Sequence, residues 1–349
     1  MKLNVALLGF GNVGRALAEL LLDRWNILRQ DYDIDLRVVG ISTGSHGHVI
    51  NPAGLDLRAA LEIVRAGERL DVLHEGQPPE DTSQFLAECP ADLIFESIPT
   101  NPHNGQPAYA YLFGALERGI HVVTSNKGPV AFGYRELSAL AERQGIGFFF
   151  ESTVMDGAPV LAVGREGLPA TRIERVRGIF NSTTNYILTR MEQELLSFEE
   201  ALAAAQQIGI AETDPTLDID GWDSAIKTVI LANVLMGADL RPVDVDRRGI
   251  RDITLADVQE AGMAGERIRL ICEAARLPDG SVSASVTPRR VPMDDILAGI
   301  TGTTSLVEFE TDTLRRLTLV EYDPGPDTTA YGMLADMINI TRGRHRQRI

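Results

Sequence analysis

Residues 3–14 read LNVALLGFGNVG. The apolar run LNVALL stops at Gly9, and Gly9, Gly11 and Gly14 follow in G-x-G-x-x-G spacing. A short apolar run closed by glycine predicts a buried strand and a tight turn. From Asn12 onward, Val13, Leu17, Leu20 and Leu21 fall on one face of a helix. In this setting the glycines have separate tasks. One permits the turn, one lets backbone approach a pyrophosphate, and one lets the helix pack close on the strand. The start of the helix then faces the phosphates. The pattern predicts a dinucleotide site at Gly9, Gly11, Asn12, Val13 and Gly14. A glycine turn that serves packing alone is the competing reading.

Outward from that stretch, short apolar runs alternate with helical patterns. Strands are expected at 36–41, 92–97, 120–125 and 147–152, and helices at 56–65, 108–118 and 132–143. Alternation of this kind implies a parallel sheet covered on both faces. Ligands of such sheets bind beyond the strand C-termini. Ser97 ends one strand there, and HVVTSNKGP at 121–129 delivers Asn126 and Lys127 at the end of the next. A lysine so placed can meet both cofactor and substrate, or it can be a solvated loop residue. An acidic residue ending the second strand would bind the ribose hydroxyls of NAD. Here the stretch has Ser42, Thr43, Ser45, His46 and His48, with no carboxylate and no arginine at 40–50. That weighs against strict NAD specificity without establishing NADP, and the two histidines read as surface-loop residues.

Past residue 155 the rhythm changes. A strand near 172–179 precedes helices near 183–195, 198–207 and 222–236, and strands are expected at 281–288 and 313–322. A closing helix is expected over 328–343. Segregated strands and helices predict a second domain of α+β type. The expected division is 1–150, 151–325 and a C-terminal piece at 326–349.

The chain has 349 residues, 44% of them hydrophobic, with a formal net charge of −16. Such an acidic chain is a poor ligand for nucleic acid or an anionic membrane. Arg342, Arg344, Arg346 and Arg348 make the last residues basic, which reads as a solvated terminus. Cys89 and Cys272 lie in no spaced cluster, so neither a disulfide framework nor a zinc site is indicated. The N-terminal apolar run is too short to span a membrane and lacks a cleavage site. A cytoplasmic protein is expected.

Residues 212–227, ETDPTLDIDGWDSAIK, crowd five carboxylates ahead of Lys227. The spacing is not that of a calcium loop, and no histidine is near for a transition metal. Asp214 and Asp220 read as turn residues. Glu212 and Asp218 are better placed to hold an ammonium group. Asp223 and Lys227 are four residues apart and share a helix face. The segment is nearly all apolar from there to Met236, and Lys227 is its only charge after Asp223. That lysine either snorkels to water or stands in a cleft, where desolvation would suit it to proton transfer.

Together these motifs resemble the homoserine dehydrogenase family over roughly residues 1–340. They are GFGNVG at 9–14, HVVTSNKGP at 121–129, ESTVMDGAP at 151–159, NSTTNYIL at 181–188, GIAETDPTLDIDGWDSAIK at 209–227 and TTAYGMLADM at 328–337. The resemblance implies an N-terminal Rossmann-type doubly wound parallel sheet, a second α+β catalytic and dimerisation domain, and a C-terminal helix returning to the first. It implies NAD- or NADP-linked interconversion of L-homoserine and L-aspartate 4-semialdehyde by a homodimer. By position, Lys227 and Lys127 match lysines near the reacting oxygen, and Asp223 matches the partner of the helix lysine. Glu212 and Asp218 match carboxylates that hold the amino end of the substrate. Asn181, Ser182 and Thr183 match a loop closing over it. Glu151, Val154, Asp156 and Ala158 match a sodium or potassium site built mainly from backbone carbonyls, and Gly325 is what is left of a late glycine-rich stretch at the cofactor. Ser182 stands where the family has glycine, Met155-Asp156 where small residues are usual, and Ile210 where tyrosine is common. Those departures leave open a related amino alcohol as substrate. A non-catalytic NAD(P)-binding regulator is a third reading, against which the retained lysines count. No regulatory domain of the family's usual length is expected, and so no feedback inhibition by threonine.

Overall fold

A computed structural model describes residues 1–343, so Arg344, Arg346 and Arg348 of the basic tail lie outside the described residues. The chain divides into two compact units, Met1–Gly157 with Gly325–Ile349, and Ala158–Pro324.

The first unit begins with β1 (Lys2–Leu8), α1 (Asn12–Asp31), β2 (Asp35–Ser42) and β3 (His48–Ile50). It continues through α2 (Leu57–Arg65), α3 (Thr82–Glu88), β4 (Leu93–Glu96), α4 (Ala108–Glu117), β5 (His121–Thr124), α5 (Lys127–Gln144) and β6 (Phe148–Phe149). The sheet order is β3-β2-β1-β4-β5-β6. All neighbours are parallel except β3, which returns antiparallel along β2. The expected loop after β2 is therefore a hairpin, and His48 lies in its returning strand. The rest of the sheet is buried on both faces, as a strand flanked by crossover helices must be. Val5, Leu7, Val38, Leu93, Phe95 and Val123 form the centre of the core, with Leu17 and Leu21 of α1 laid on it.

The second unit carries α6 (Val160–Ala162), β7 (Ile173–Ile179), α7 (Ser182–Glu194), α8 (Phe198–Gln207), α9 (Thr216–Ile219) and α10 (Trp222–Met236). Next come β8 (Asp246–Arg247), α11 (Leu255–Met263), β9 (Glu266–Arg276), β10 (Val282–Pro292), β11 (Ser305–Thr311) and β12 (Arg315–Glu321). Its sheet runs β12-β11-β7-β9-β10-β8 and is antiparallel apart from the β8–β10 pair. One register row crosses five strands as Ser285, Glu273, Arg177, Glu308 and Thr318. Arg177 pairs with Glu308 at 2.7 Å and with Asp295 at 2.7 Å, so the row is held by ion pairs. Cys272, one residue from Glu273, points to the opposite face and is fully buried. Sequence periodicity missed β9, β11 and α11. β9 and β11 are buried along most of their length, so they lack the alternation that marks a half-exposed strand.

The last helix, α12 (Pro326–Thr341), belongs to the first unit and packs along α1. Ala330, Met333, Met337 and Ile340 carry its buried face. Arg342 is exposed, as expected, and its guanidinium stands over the Tyr32 ring at 5.0 Å. Among the described residues no helix is long and apolar enough to cross a membrane.

Gly14 tests how tightly the first turn is built. Inside a helix alanine normally gains about 1 kcal/mol over glycine. Here a Cβ at residue 14 would lie 2.3 Å from the carbonyl oxygen of Gly9. Gly14→Ala is therefore expected to lose about 1–3 kcal/mol, as overpacking does. Urea denaturation checks this, and a midpoint at or above the wild-type value would show the turn to be slack.

Candidate active site

In the first unit the C-terminal ends of four strands finish in register. Ser42, Leu8, Glu96 and Thr124 stand side by side across β2, β1, β4 and β5. Beyond Leu8 the chain turns at Gly9, whose φ of 96° is left-handed, and whose N–H donates to the Ser42 carbonyl at 2.9 Å. A Cβ on Gly9 would meet the Ser97 carbonyl group at 2.8 Å and the Ile98 nitrogen at 3.0 Å, so the turn rests directly on the backbone after β4. Gly11 caps α1 with no side chain, the first turn holds no acidic residue, and a Cβ there would meet open space. The first N–H groups of a 20-residue helix are thus offered outward, which fits a pyrophosphate. Asn12 accepts from Arg15 at 2.9 Å, and Val13 packs on the core, so both present backbone to that space.

Asn126 is buried and caps α5 by accepting from the Gly128 N–H at 3.1 Å. That cap starts the helix at Lys127, ahead of the residue 132 expected from periodicity. A carboxylate singled out by none of the sequence reasoning lies beneath: Glu96 is 0% exposed. It accepts from Thr124 Oγ1 at 2.5 Å, from the Ile98 N–H at 2.8 Å and from Asn126 Nδ2 at 3.2 Å. Burial pushes its pKa up to about 7, against the pull of the three donors. The signal in the sequence was one acid closing an otherwise apolar run, LIFE, since a buried strand carries a charge only if donors meet it.

At the end of β2, Ser42 Oγ lies 2.9 Å from His48 Nδ1 and 3.1 Å from Thr82 Oγ1. Burial lowers the His48 pKa. His46 keeps the expected loop position, with Nδ1 at 2.8 Å from the Glu68 carbonyl. Asp71 arrives from a distant segment, accepting from the His48 N–H at 2.9 Å and pairing with Arg69 at 2.6 Å. So the hairpin does hold a carboxylate and an arginine, both brought by the fold from outside 40–50.

The segment 151–157 is tied to α12. The Glu151 N–H donates to Asp336 at 2.8 Å, Ser152 Oγ to the Thr329 carbonyl at 2.8 Å, and Thr329 Oγ1 to Asp156 at 2.6 Å. Val154 is buried, and Ala158 opens the second unit. Among the described residues no group of histidine, cysteine and carboxylate side chains is arranged to hold a metal. Gly325 caps α12, its N–H donating to Thr328 Oγ1 at 2.9 Å.

In the second unit the acidic run divides. Asp214 is exposed and accepts from the Thr216 N–H at 3.1 Å, a local turn. Asp220 ends α9 and pairs with Arg251 at 2.9 Å. Asp218 and Asp223 converge on Asn181, and Lys227 joins them through Asp223. Asn181 Nδ2 donates to Asp218 at 2.7 Å and to Asp223 at 3.1 Å, while its Oδ1 caps α7 by accepting from the Thr184 N–H at 2.8 Å. Lys227 Nζ pairs with Asp223 at 3.2 Å and donates to the Phe180 carbonyl at 2.6 Å. Its side chain is only 17% exposed, which favours the cleft over snorkelling. The Asp218 pKa is raised, first by burial and then by Asp223, against Asn181, Lys227 and Thr183. Thr183 donates to the Ile210 carbonyl at 3.1 Å, and Ser182 opens α7. Glu212 is exposed, and its backbone carbonyl accepts from Gln206. Its carboxylate is not drawn into the cluster.

Residues 159–338 match the family model of homoserine dehydrogenase. The chain is 39% identical to an NAD(+)-dependent homoserine dehydrogenase from Pseudomonas canavaninivorans, over 98% of this chain and 97% of that one. Among solved structures it superposes on a putative homoserine dehydrogenase from Archaeoglobus fulgidus with a TM-score of 0.87 at 33% identity, covering 97% of this chain and 99% of that one. It also superposes on a hyperthermophilic archaeal homoserine dehydrogenase in complex with NADPH, with a TM-score of 0.83 at 31% identity and 98% of both chains covered.

Glu96 gives a pH test. Its folded pKa of about 7 lies above the ordinary 4.5, so the fold holds its proton while the unfolded chain releases it. Its contribution to stability is complete below 4.5 and is lost as pH rises through about 7. Glu96→Gln does not titrate. Denaturation of both proteins from pH 5 to 8 is expected to show the variant gaining on the wild type as pH rises. A constant difference would place the carboxylate outside that range.

Proposed function

The chain belongs to the homoserine dehydrogenase family, and we propose that it interconverts L-homoserine and L-aspartate 4-semialdehyde with NAD(P), using Lys227 as the group that handles the hydroxyl proton. One observation carries the substrate side. Asp218 and Asp223 lie together beside Lys227 in one largely buried cluster bound by Asn181. Burial and the neighbouring Asp223 both press on Asp218, and the ammonium of an amino alcohol would relieve that pressure. Its arrival would lower the Asp218 pKa again. Asn181 keeps the two carboxylates apart in role, since it binds both and caps the helix that carries Thr183. Glu212 is the exposed second carboxylate for the amino end, and Ser182 stands at the loop that meets the substrate.

Bound NAD(P) supplies the hydride acceptor or donor. The cradle of Gly9, Gly11 and Gly14 would hold its pyrophosphate, with Ser97, Asn126 and Gly325 at the rim. Lys227 is oriented by Asp223 and the Phe180 carbonyl. It eases loss of the hydroxyl proton in oxidation, and it polarises the aldehyde and returns the proton in reduction. Lys127 is assigned the second ammonium of the reaction. On cofactor choice, Arg69 is the basic group near Gly47 at the hairpin, and Asp71 neutralises it. NAD is therefore favoured over NADP, whose extra phosphate needs an uncommitted cation. A sodium or potassium ion held by carbonyls of Glu151, Val154, Asp156 and Ala158 belongs to the same proposal. Carbonyl oxygen suits such hard cations, and the Asp156 side chain is already taken by Thr329. A homodimer formed through the second unit belongs to the same proposal, on the family resemblance.

Lys227→Ala is expected to lower kcat in both directions by about 10²–10⁴, the usual worth of a positioned acid or base, with the Kd for NADH unchanged. Near-wild-type turnover would sink the assignment. Comparison of kcat/KM for NAD and NADP, with and without sodium or potassium, checks the cofactor and cation. A higher value with NADP would overturn the reading of Arg69 and Asp71.

A further inference from the structure

We propose that Glu96 is a positioning residue for the nicotinamide cofactor, joining the floor of the glycine turn to the cap of the helix that carries Lys127. The inference rests on the cofactor reading above.

The connections are short. One oxygen of Glu96 accepts both the Ile98 N–H at 2.8 Å and Asn126 Nδ2 at 3.2 Å. The other accepts Thr124 Oγ1 at 2.5 Å. Asn126 Nδ2 also donates to the Ile98 carbonyl at 3.2 Å, so Ile98 is gripped at both its N–H and its carbonyl. The Thr124 hydroxyl in turn accepts the Asn126 N–H at 2.9 Å. A single carboxylate therefore fixes Ile98, Thr124 and Asn126. Two of these bear on the cofactor side of the sheet. Ser97 and Ile98 are the backbone against which Gly9 lies, with no room for a Cβ between them. Asn126 sets the first turn of α5, where Lys127 stands.

A side chain that only filled the core would need no charge. Leucine or methionine would fill the same space without the cost of desolvating a carboxylate. What the carboxylate adds is acceptor capacity on both oxygens, enough for all three donors at once. Glutamine keeps the acceptor for Ile98 and Asn126 and loses the one for Thr124. Aspartate keeps the charge but is one methylene short, and alanine loses every bond.

The test is cofactor binding by the intact protein, read from the quenching of tryptophan fluorescence by NADH and NADPH, together with steady-state kinetics. In Glu96→Ala, the Kd and KM for the cofactor are expected to rise by about tenfold or more, as misplaced site backbone does, while the KM for homoserine changes less than threefold. Glu96→Gln is expected to return the cofactor Kd to within about threefold of wild type, because the Oε1 acceptor is restored. If Glu96→Ala does not fold by near-UV circular dichroism, Glu96→Asp takes its place with the same expectation. An unchanged cofactor Kd in either folded variant overturns the proposal. So does loss of fold in both while Glu96→Gln binds as wild type, which would assign Glu96 to the core alone. A wild-type protein that binds neither NADH nor NADPH refutes the cofactor reading itself and is distinguishable from those results.

Discussion

A carboxylate withdrawn from water must be met by donors or give up its charge, and that constraint organises the chemistry of both units. In the first unit the carboxylate is Glu96, and three donors from two loops and a strand turn toward it. In the second it is Asp218, pressed by burial and by Asp223, with Asn181 and Lys227 in opposition. The two solutions differ. Glu96 is saturated by neutral groups, so its cluster can only hold shape. Asp218 is met by the amide of Asn181 and by the nearby charge of Lys227, with Asp223 opposing. A fully satisfied polar network rigidifies the backbone around it.

The glycine turn shows how far the sequence reached. Gly9, Gly11 and Gly14 announce a strand, a turn and a helix because each glycine there answers a local steric demand. Asp223 and Lys227 were legible for the same reason, since helical spacing places them on one face without help from the rest of the chain. Glu96 was not legible, because its donors come from Ile98, Thr124 and Asn126, and the pairing of β4 with β5 brings them together. Asp71 was invisible for the same cause. The segment 40–50 holds no carboxylate, yet the fold carries one to the hairpin from the segment after α2. Strands β9 and β11 were missed because burial on most sides erases alternation. Glu212, read from the same acidic run as Asp223 and Lys227, lies exposed.

The departures from the family motif can be weighed against the same geometry. Ser182 opens α7 beside Asn181, but the cap and both carboxylate contacts belong to the Asn181 side chain, so the added hydroxymethyl group displaces none of them. Ile210 contributes its backbone carbonyl to Thr183, a contact that any residue could make. Asp156 has a left-handed φ of 34°, a conformation in which a non-glycine residue is strained, and its carboxylate is held by Thr329 of α12. That substitution is compensated by a bond a glycine could not form.

The Asp223–Lys227 pair separates an enzyme from a sensor. A protein that only registers NAD(P) needs the glycine turn and the strand ends around it. It has no need for a lysine that is largely buried in another unit, aimed by a carboxylate on its own helix and a carbonyl from the end of β7. Desolvating an ammonium costs stability unless its partners are well placed. Here they are placed one helical turn away and at the strand end, and they leave the nearby Asp218 with its carboxylate only partly compensated. Burial and Asp223 together raise the Asp218 pKa beside that lysine, which is the environment the proposed proton transfer and ammonium binding would use.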